Sequence, residues 1–212
     1  AVQVRIPGRI PEGLTVFETM RREPDGHIAL WPLHLARLRN GCAAVGFPLD
    51  EALAQEALSR LPAGQLLRAR LAVDASRRIE VTHAPLPPNP PLWRVIISDR
   101  RLKAGDPWLS IKSSHRPVYD HVRQALPAGV DEALLLNQMD ELCEGTITSI
   151  FLDRGGVLLT PPLACGLLPG VLRQSLLMQG RAQEAHLQLS DLAEGALYCG
   201  NALRGLIPAL LV

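Results

Sequence analysis

Apolar and polar positions divide this chain into two stretches of regular structure separated by a break. Before the break, 14–20 and 27–30 read as strands. Pro32 suits the first turn of a helix, and Leu35, Leu38, Cys42 and Val45 mark one face of it. Asp50 is a helix-capping residue type and predicts a second helix running toward Leu61. Strands are expected at 66–73 and 78–83. The break is 84–91, APLPPNPP, with five prolines in eight residues, which can form neither a helix nor an inner strand. After it come apolar or alternating stretches at 92–98, 108–112, 133–137, 147–153 and 157–160, each read as a strand. Helices are expected over 118–126 and after Pro169. The reading is a two-domain α/β (α+β) chain, with a small domain at 1–84, a stiff linker at 85–91 and a larger domain at 92–212.

Composition narrows the function classes. A chain of 212 residues can bury a substantial core, and its net charge of +1 offers no field for nucleic acid or an acidic membrane surface. Aromatic residues are too few for base-stacking platforms. Apolar runs are too short or too broken to span a bilayer, and 1–13 lacks the apolar segment of a secretion signal, so a cytoplasmic protein is expected. Cys42, Cys143, Cys165 and Cys199 form no CxxC pair, and the histidines no HExxH-like cluster, so buried thiols and no metal are expected.

Charge chemistry changes the picture more than net charge does. Two lysines, Lys103 and Lys112, stand against twenty arginines. Where Arg is used so consistently, a retained Lys points to a need for an amine that can lose its proton and attack a carbonyl. Lys103 sits in the polar RRLKAGDP and reads as a solvated loop residue. Lys112 ends the alternating 108–112, where desolvation would lower its pKa and make it a nucleophile. Snorkelling from a strand end is the commoner fate of a lone lysine, and composition alone leaves the two readings even.

Three later patches could serve an anionic, electron-withdrawing group. Glu144 opens EGTITSIF, and a carboxylate against a heteroaromatic nitrogen keeps that nitrogen protonated. GLLPGVLR places Gly170 before a helix whose first N–H groups form an anion site. GNALRG, 200–205, is a polar turn between strands. In the first half, Arg37 lies among apolar helix neighbours and could fork onto a phosphate. Each has an ordinary alternative, as a surface turn, a plain helix start or a solvated arginine.

Taken in order, LTVFETMR, HLARLRNGCAAVGFP, IKSSHRPVYDHVR, DEALLLN with EGTITSIF, LLTPPLACGLLPGVLR and GNALRGLIPALLV resemble the class-IV, or fold-type-IV, pyridoxal-phosphate enzymes. The resemblance covers most of the chain and is strongest toward the aminodeoxychorismate lyase-like members. It implies a small α/β domain, a larger pseudo-barrel domain, a homodimer, and pyridoxal 5'-phosphate held between the domains. Lys112 matches the family's Schiff-base lysine, Glu144 its pyridine-nitrogen partner and Arg37 its phosphate arginine. Val171 and Leu172 match the backbone phosphate donors, and Leu168 the residue packed on the ring. Tyr119, Gly170, Asn201 and Ala202 complete the expected cofactor contacts; Phe17, Arg68 and Thr148 are the expected substrate contacts.

The implied activity is 4-amino-4-deoxychorismate lyase, yielding 4-aminobenzoate and pyruvate for folate synthesis. A class-IV amino-acid aminotransferase, of the branched-chain or D-amino-acid type, is the alternative, and a non-catalytic phosphate-binding relative a third reading. The chain also departs from the family. Ala202 stands where a Ser or Thr often donates to the phosphate, and Ser149 where an Asn is common. The DRG and YGDG stretch near the N-terminus is shortened, and VDASRRIEV replaces a Gly- and Arg-rich turn.

Overall fold

The structure, a computed structural model, describes residues 5–212. The first four residues of the stretch read as lacking a secretion signal lie outside the described residues. Contacts divide the chain into two compact units, the first taking residues up to Pro88 together with Ser110–His115, the second Asn89–Leu109 and Arg116–Val212.

In the first unit, β1 (Thr15–Arg22), β2 (Leu67–Asp74) and β3 (Ile79–Pro85) form an antiparallel sheet in that order. Helices α1 (Trp31–Val45) and α2 (Glu51–Ser59) pack on it. Strand period two puts Val16, Glu18, Met20 and Arg22 on the buried face with Leu67, Ala69, Leu71 and Val73. The opposite face carries Phe17, Thr19 and Arg21 opposite Ala72, Arg70 and Arg68. Asp50 caps α2 as expected, its carboxylate accepting the Leu53 N–H at 3.0 Å. At Gly41 a Cβ would stand 2.8 Å from Val16 Cγ1, so only glycine lets α1 lie this close to β1. The strand expected at 27–30 reduces to a single bridge between Arg22 and Ile28, because the turn around Gly26 leads straight into α1.

The second unit holds β4 (Trp93–Leu102), β5 (Glu132–Asn137), β6 (Leu142–Gly145), β7 (Ser149–Arg154), β8 (Val157–Thr160), β9 (Ala182–Glu184), β10 (Ala196–Asn201) and β11 (Gly205–Leu211). Six of them, in the order β10-β11-β4-β5-β6-β7, close on themselves through antiparallel β10–β7 pairing, with β8 and β9 extending from β7. Helices α3 (Pro117–Gln124) and α4 (Val171–Met178) complete the unit. Every residue of β5 is buried. Leu134 and Leu136 pack with Trp93, Ile150, Leu152 and Cys199, while Ala133 and Leu135 face Val122, Cys165 and Leu167. Each fully buried leucine is worth about 1.5–3 kcal/mol relative to an exposed one.

Two sequence expectations are corrected here. The alternation at 108–112 is not a strand: Pro107–Ser110 is a short 3-10 helix, and the Asp106 carboxylate accepts the Trp108 N–H at 2.9 Å. The chain beyond it pairs with β1. The Lys112 carbonyl accepts the Phe17 N–H at 2.9 Å, and Val16 bridges Ser113. Those bonds assign Ser110–His115 to the first unit, although they lie beyond the proline-rich stretch. The strand expected at 147–153 starts instead at Ser149, and the separate strand β6 precedes it. The residues between the two turn around a buried carboxylate described below.

Candidate functional site

In the first unit, the backbone bond to β1 fixes Lys112 beside Phe17, with Nζ 5.0 Å from the ring centroid. Lys112 is half-buried and Lys103 exposed, so the two lysines differ in solvation as the sequence suggested. The Arg70 guanidinium lies 3.6 Å from the same ring centroid. Burial pulls Arg70 below its ordinary pKa; Glu80 opposes this and the Arg68 charge adds to it. Two cations thus gather around one aromatic ring, a contact favourable to each. Arg68, the arginine expected here, is exposed farther along the face, opposite Arg21. Strand alternation puts both arginines on that face; only the register shows that Arg70 reaches Phe17.

Arg37 is on α1 as expected, but its guanidinium forks onto Glu18 of β1, Nε to Oε1 at 2.7 Å and Nη2 to Oε2 at 2.6 Å. His34 Nδ1 lies 2.7 Å from Glu18 Oε2. Burial alone would raise the Glu18 pKa. The charge and hydrogen bonds of Arg37, with His34, overcome that and bring it from 4.5 to about 2. A carboxylate at the centre of the sheet's buried face was not foreseen, since FETM reads as a simple strand.

In the second unit, Glu144 on β6 is 4% exposed. Its Oε1 accepts the Tyr119 hydroxyl at 2.5 Å and the Leu168 N–H at 3.0 Å. Three expected cofactor residues therefore meet at one carboxylate oxygen. Burial, then the Glu144 charge and hydrogen bond, push the Tyr119 phenol well above its usual range, so it stays a donor. Arg116 lies over the Tyr119 ring at 5.2 Å and donates to the Thr146 carbonyl at 2.6 Å.

Thr148, expected at the substrate, donates its hydroxyl to Glu132 Oε2 at 3.0 Å. Glu132, wholly buried at the start of β5, also accepts the N–H groups of Ala133, Thr146 and Ile147 and the Thr146 hydroxyl, at 2.5–3.1 Å. Arg123 approaches it at 3.5 Å. This carboxylate shapes the turn between Glu144 and Ser149. The sequence hid it, because an acidic pair before an apolar run looks like a solvated strand end.

The start of α4 has no side-chain cap among the described residues, and the first-turn N–H groups, including those of Val171 and Leu172, have no carbonyl within the helix to meet. Free N–H groups at a helix start are what an anion site would need, and this is the helix start where the sequence leads one to expect it. Gly170 itself is close against β7, where a Cβ would fall 2.4 Å from Ser149 Oγ. Asn201 places its side chain in the β10–β11 turn, accepting from the Leu203 and Arg204 N–H groups and donating to the Ile147 carbonyl. Ala202 is half-buried in that turn.

Lys112 thus stands beside an aromatic ring, Glu144 accepts from Tyr119 and Leu168, and α4 starts without a side-chain cap. The model of the family Amino-transferase class IV matches residues 15–212. The chain belongs to the class-IV aminotransferase family. A solved structure from Mesorhizobium loti, provisionally described as an amino-acid aminotransferase, is 42% identical to this family member. It superposes with a TM-score of 0.89 over 94% of this chain and 100% of its own. A Schizosaccharomyces pombe protein, provisionally named aminodeoxychorismate lyase, is 25% identical over 82% of this chain and 77% of its own length. A hypothetical aminotransferase from Mycobacterium tuberculosis, solved in a PLP-bound form, shares the fold at 21% identity, with a TM-score of 0.79 over 93% of this chain and 81% of its own. Among the described residues, no helix is long and apolar enough to cross a membrane.

Proposed function

We propose that this chain is a pyridoxal-phosphate-dependent 4-amino-4-deoxychorismate lyase. The residues fit the cofactor. An amine, a fixed carboxylate and an uncapped helix start offer one partner each for an aldehyde, a ring nitrogen and a phosphate, and Gly170 at that helix start packs so closely on Ser149 of β7 that a Cβ would not fit. When bound, the cofactor supplies a cationic ring that takes up the electron pair left as a proton departs beside the substrate amine. Lys112 would hold the cofactor's aldehyde carbon, and its amine, when free, would serve as the base at the amine-bearing carbon of the substrate. Glu144 keeps the ring nitrogen protonated, with Tyr119 and the Leu168 N–H fixing its angle. Val171 and Leu172 take the phosphate through their N–H groups, and Arg37, oriented by Glu18, adds charge.

The observation that carries the lyase reading is the face around Phe17. Arg70 and Lys112 both lie near an aromatic ring there, with Arg68 and Arg21 farther along the same face. A branched aliphatic side chain calls for an apolar pocket, whereas a cyclic substrate with two carboxylates suits a flat surface edged by guanidinium groups. The proton then leaves the amine-bearing carbon, the neighbouring ring C–O bond breaks with its electron pair going to oxygen, the ring becomes aromatic, and the released enolpyruvate takes a proton to become pyruvate. The second reading, an amino-acid aminotransferase, is favoured by the 42% identity to the M. loti chain. Purified protein incubated with aminodeoxychorismate should release 4-aminobenzoate and pyruvate in equal amounts. Glutamate formed from an amino acid plus 2-oxoglutarate, with no 4-aminobenzoate in the first assay, would replace the lyase with the aminotransferase. Borohydride should attach the cofactor to Lys112, and label on Lys103 would overturn the whole assignment. A homodimer belongs to the same reading and is checked by sedimentation equilibrium.

A further inference from the structure

Behind Glu144 the second unit gathers three side chains that the sequence kept far apart. Glu141 directly precedes β6, Cys165 closes the short 3-10 helix Leu163–Cys165, and His186 lies in the loop after β9. Their ligand atoms all lie within 4.8 Å of one another. Cys165 Sγ is 3.6 Å from His186 Nδ1, which is 2.6 Å from Glu141 Oε1. In a tetrahedral zinc site, bonds of about 2.0–2.3 Å place a sulfur and a nitrogen ligand roughly 3.6 Å apart, and a nitrogen and an oxygen ligand about 3.4 Å apart. The thiol and imidazole already have that spacing. The imidazole and carboxylate must open by roughly 0.8 Å, a movement within reach of His186, whose side chain is 63% exposed.

A second layer holds two of the three in place. Asn137 is wholly buried; its Nδ2 donates to Glu141 Oε2 at 2.7 Å and to the Cys165 carbonyl at 3.1 Å, and its Oδ1 accepts the Glu141 N–H at 3.1 Å. The third is carried by the chain itself, since the Leu142 N–H donates to the Leu187 carbonyl at 2.8 Å beside His186. A surface ion pair between His186 and Glu141 would need neither a thiol at its edge nor a buried amide behind it. Outer partners that fix ligand orientation are a regular feature of metal sites.

We propose that Glu141, Cys165 and His186 form a site for a borderline-soft divalent cation of the zinc class, with a fourth position open to water on the His186 side. One thiolate, one imidazole and one carboxylate suit zinc and disfavour magnesium, which prefers oxygen ligands alone. Binding transfers the thiol proton to buffer. The site is separate from the Glu144 chemistry, but it ties together two segments that reach that carboxylate three residues later, at Glu144 and at Leu168.

The test uses the whole untagged protein with its cofactor, freed of trace metal by chelation and titrated calorimetrically with zinc chloride, with magnesium chloride as the comparison. One zinc per chain should bind at micromolar concentration or below, and magnesium should give no heat. His186→Ala, at an exposed position, and Cys165→Ser should each weaken zinc binding by roughly tenfold or more, while His83→Ala, at an exposed histidine elsewhere, should not. X-ray absorption of the zinc-loaded protein should show one sulfur ligand. Absence of binding, binding that survives His186→Ala, or a zinc shell without sulfur would each overturn the site, even if Cys165→Ser fails to fold.

Discussion

The Tyr119 hydroxyl and the Leu168 backbone N–H, donors of unequal kind, both reach Glu144 Oε1, and of these only the first can be removed by substitution. A hydrogen bond to a charged group is worth about 1.5–3 kcal/mol, or roughly a 10–100-fold change in rate if it acts in the transition state. Tyr119→Phe should lower kcat by about that factor and leave cofactor affinity nearly unchanged, as equilibrium dialysis would show. Glu144→Ala should still bind the cofactor but lose several orders of magnitude in turnover, because the ring nitrogen loses the charge that keeps it protonated. Near-normal turnover in Glu144→Ala would reduce this carboxylate to a turn residue. Lys112 draws attention in the sequence because the chain has only two lysines, whereas Glu144 does so only through the order of motifs it shares with the family. Glu132 and Arg70 could not be singled out, since a buried acid and an exposed one are spelled alike, and the choice between Arg68 and Arg70 rests on strand register.

The start of α4 was legible as an element because Pro169 and Gly170 precede an apolar helix, whereas its packing against β7 was not. With φ at −62°, Gly170 has no need of glycine's special backbone freedom. What excludes a Cβ is Ser149 Oγ, 2.4 Å from where it would stand. Gly170→Ala should therefore displace the helix start and weaken pyridoxal-phosphate binding, measured by cofactor dissociation. Adding Ser149→Ala should restore much of the loss, because Ser149 Cβ, at 3.7 Å, is at ordinary contact distance. If the double variant binds no better than Gly170→Ala, the serine is not the obstacle. Ala202→Ser, in the neighbouring turn, should leave binding unchanged or tighter. The 3-10 helix at Pro107–Ser110 shows the opposite case: its alternation is that of a strand, but Asp106 and Pro107 impose a turn that a two-residue period does not encode.

Across the whole molecule, the order of most elements could be read from the chain, while the return of Ser110–His115 to the first unit and the closure of six strands through β10 and β7 could not, since pairing between distant segments leaves no local pattern. The buried face of the first unit adds a property of the same long-range kind. Glu18 of β1 meets Arg37 and His34 of α1, so its charge is compensated only in the folded chain. Its folded pKa of about 2 lies below the ordinary 4.5, so the carboxylate contributes its full stabilisation above about pH 4.5 and loses it as pH falls toward 2. The shift corresponds to roughly 3 kcal/mol at neutral pH. Arg37→Ala, leaving that charge buried and unpaired, should cost about 3–5 kcal/mol and release cofactor partly through loss of fold. Denaturant titrations from pH 7 to about pH 3 should show the wild type losing stability in the acid range, with a slope approaching 1.4 kcal/mol per pH unit from this group alone. In Glu18→Gln that part of the slope should vanish, although the variant starts less stable at neutral pH. Parallel pH profiles for wild type and variant would mean that acid sensitivity arises elsewhere, and that the Glu18–Arg37 pair orients α1 without adding pH-dependent stability.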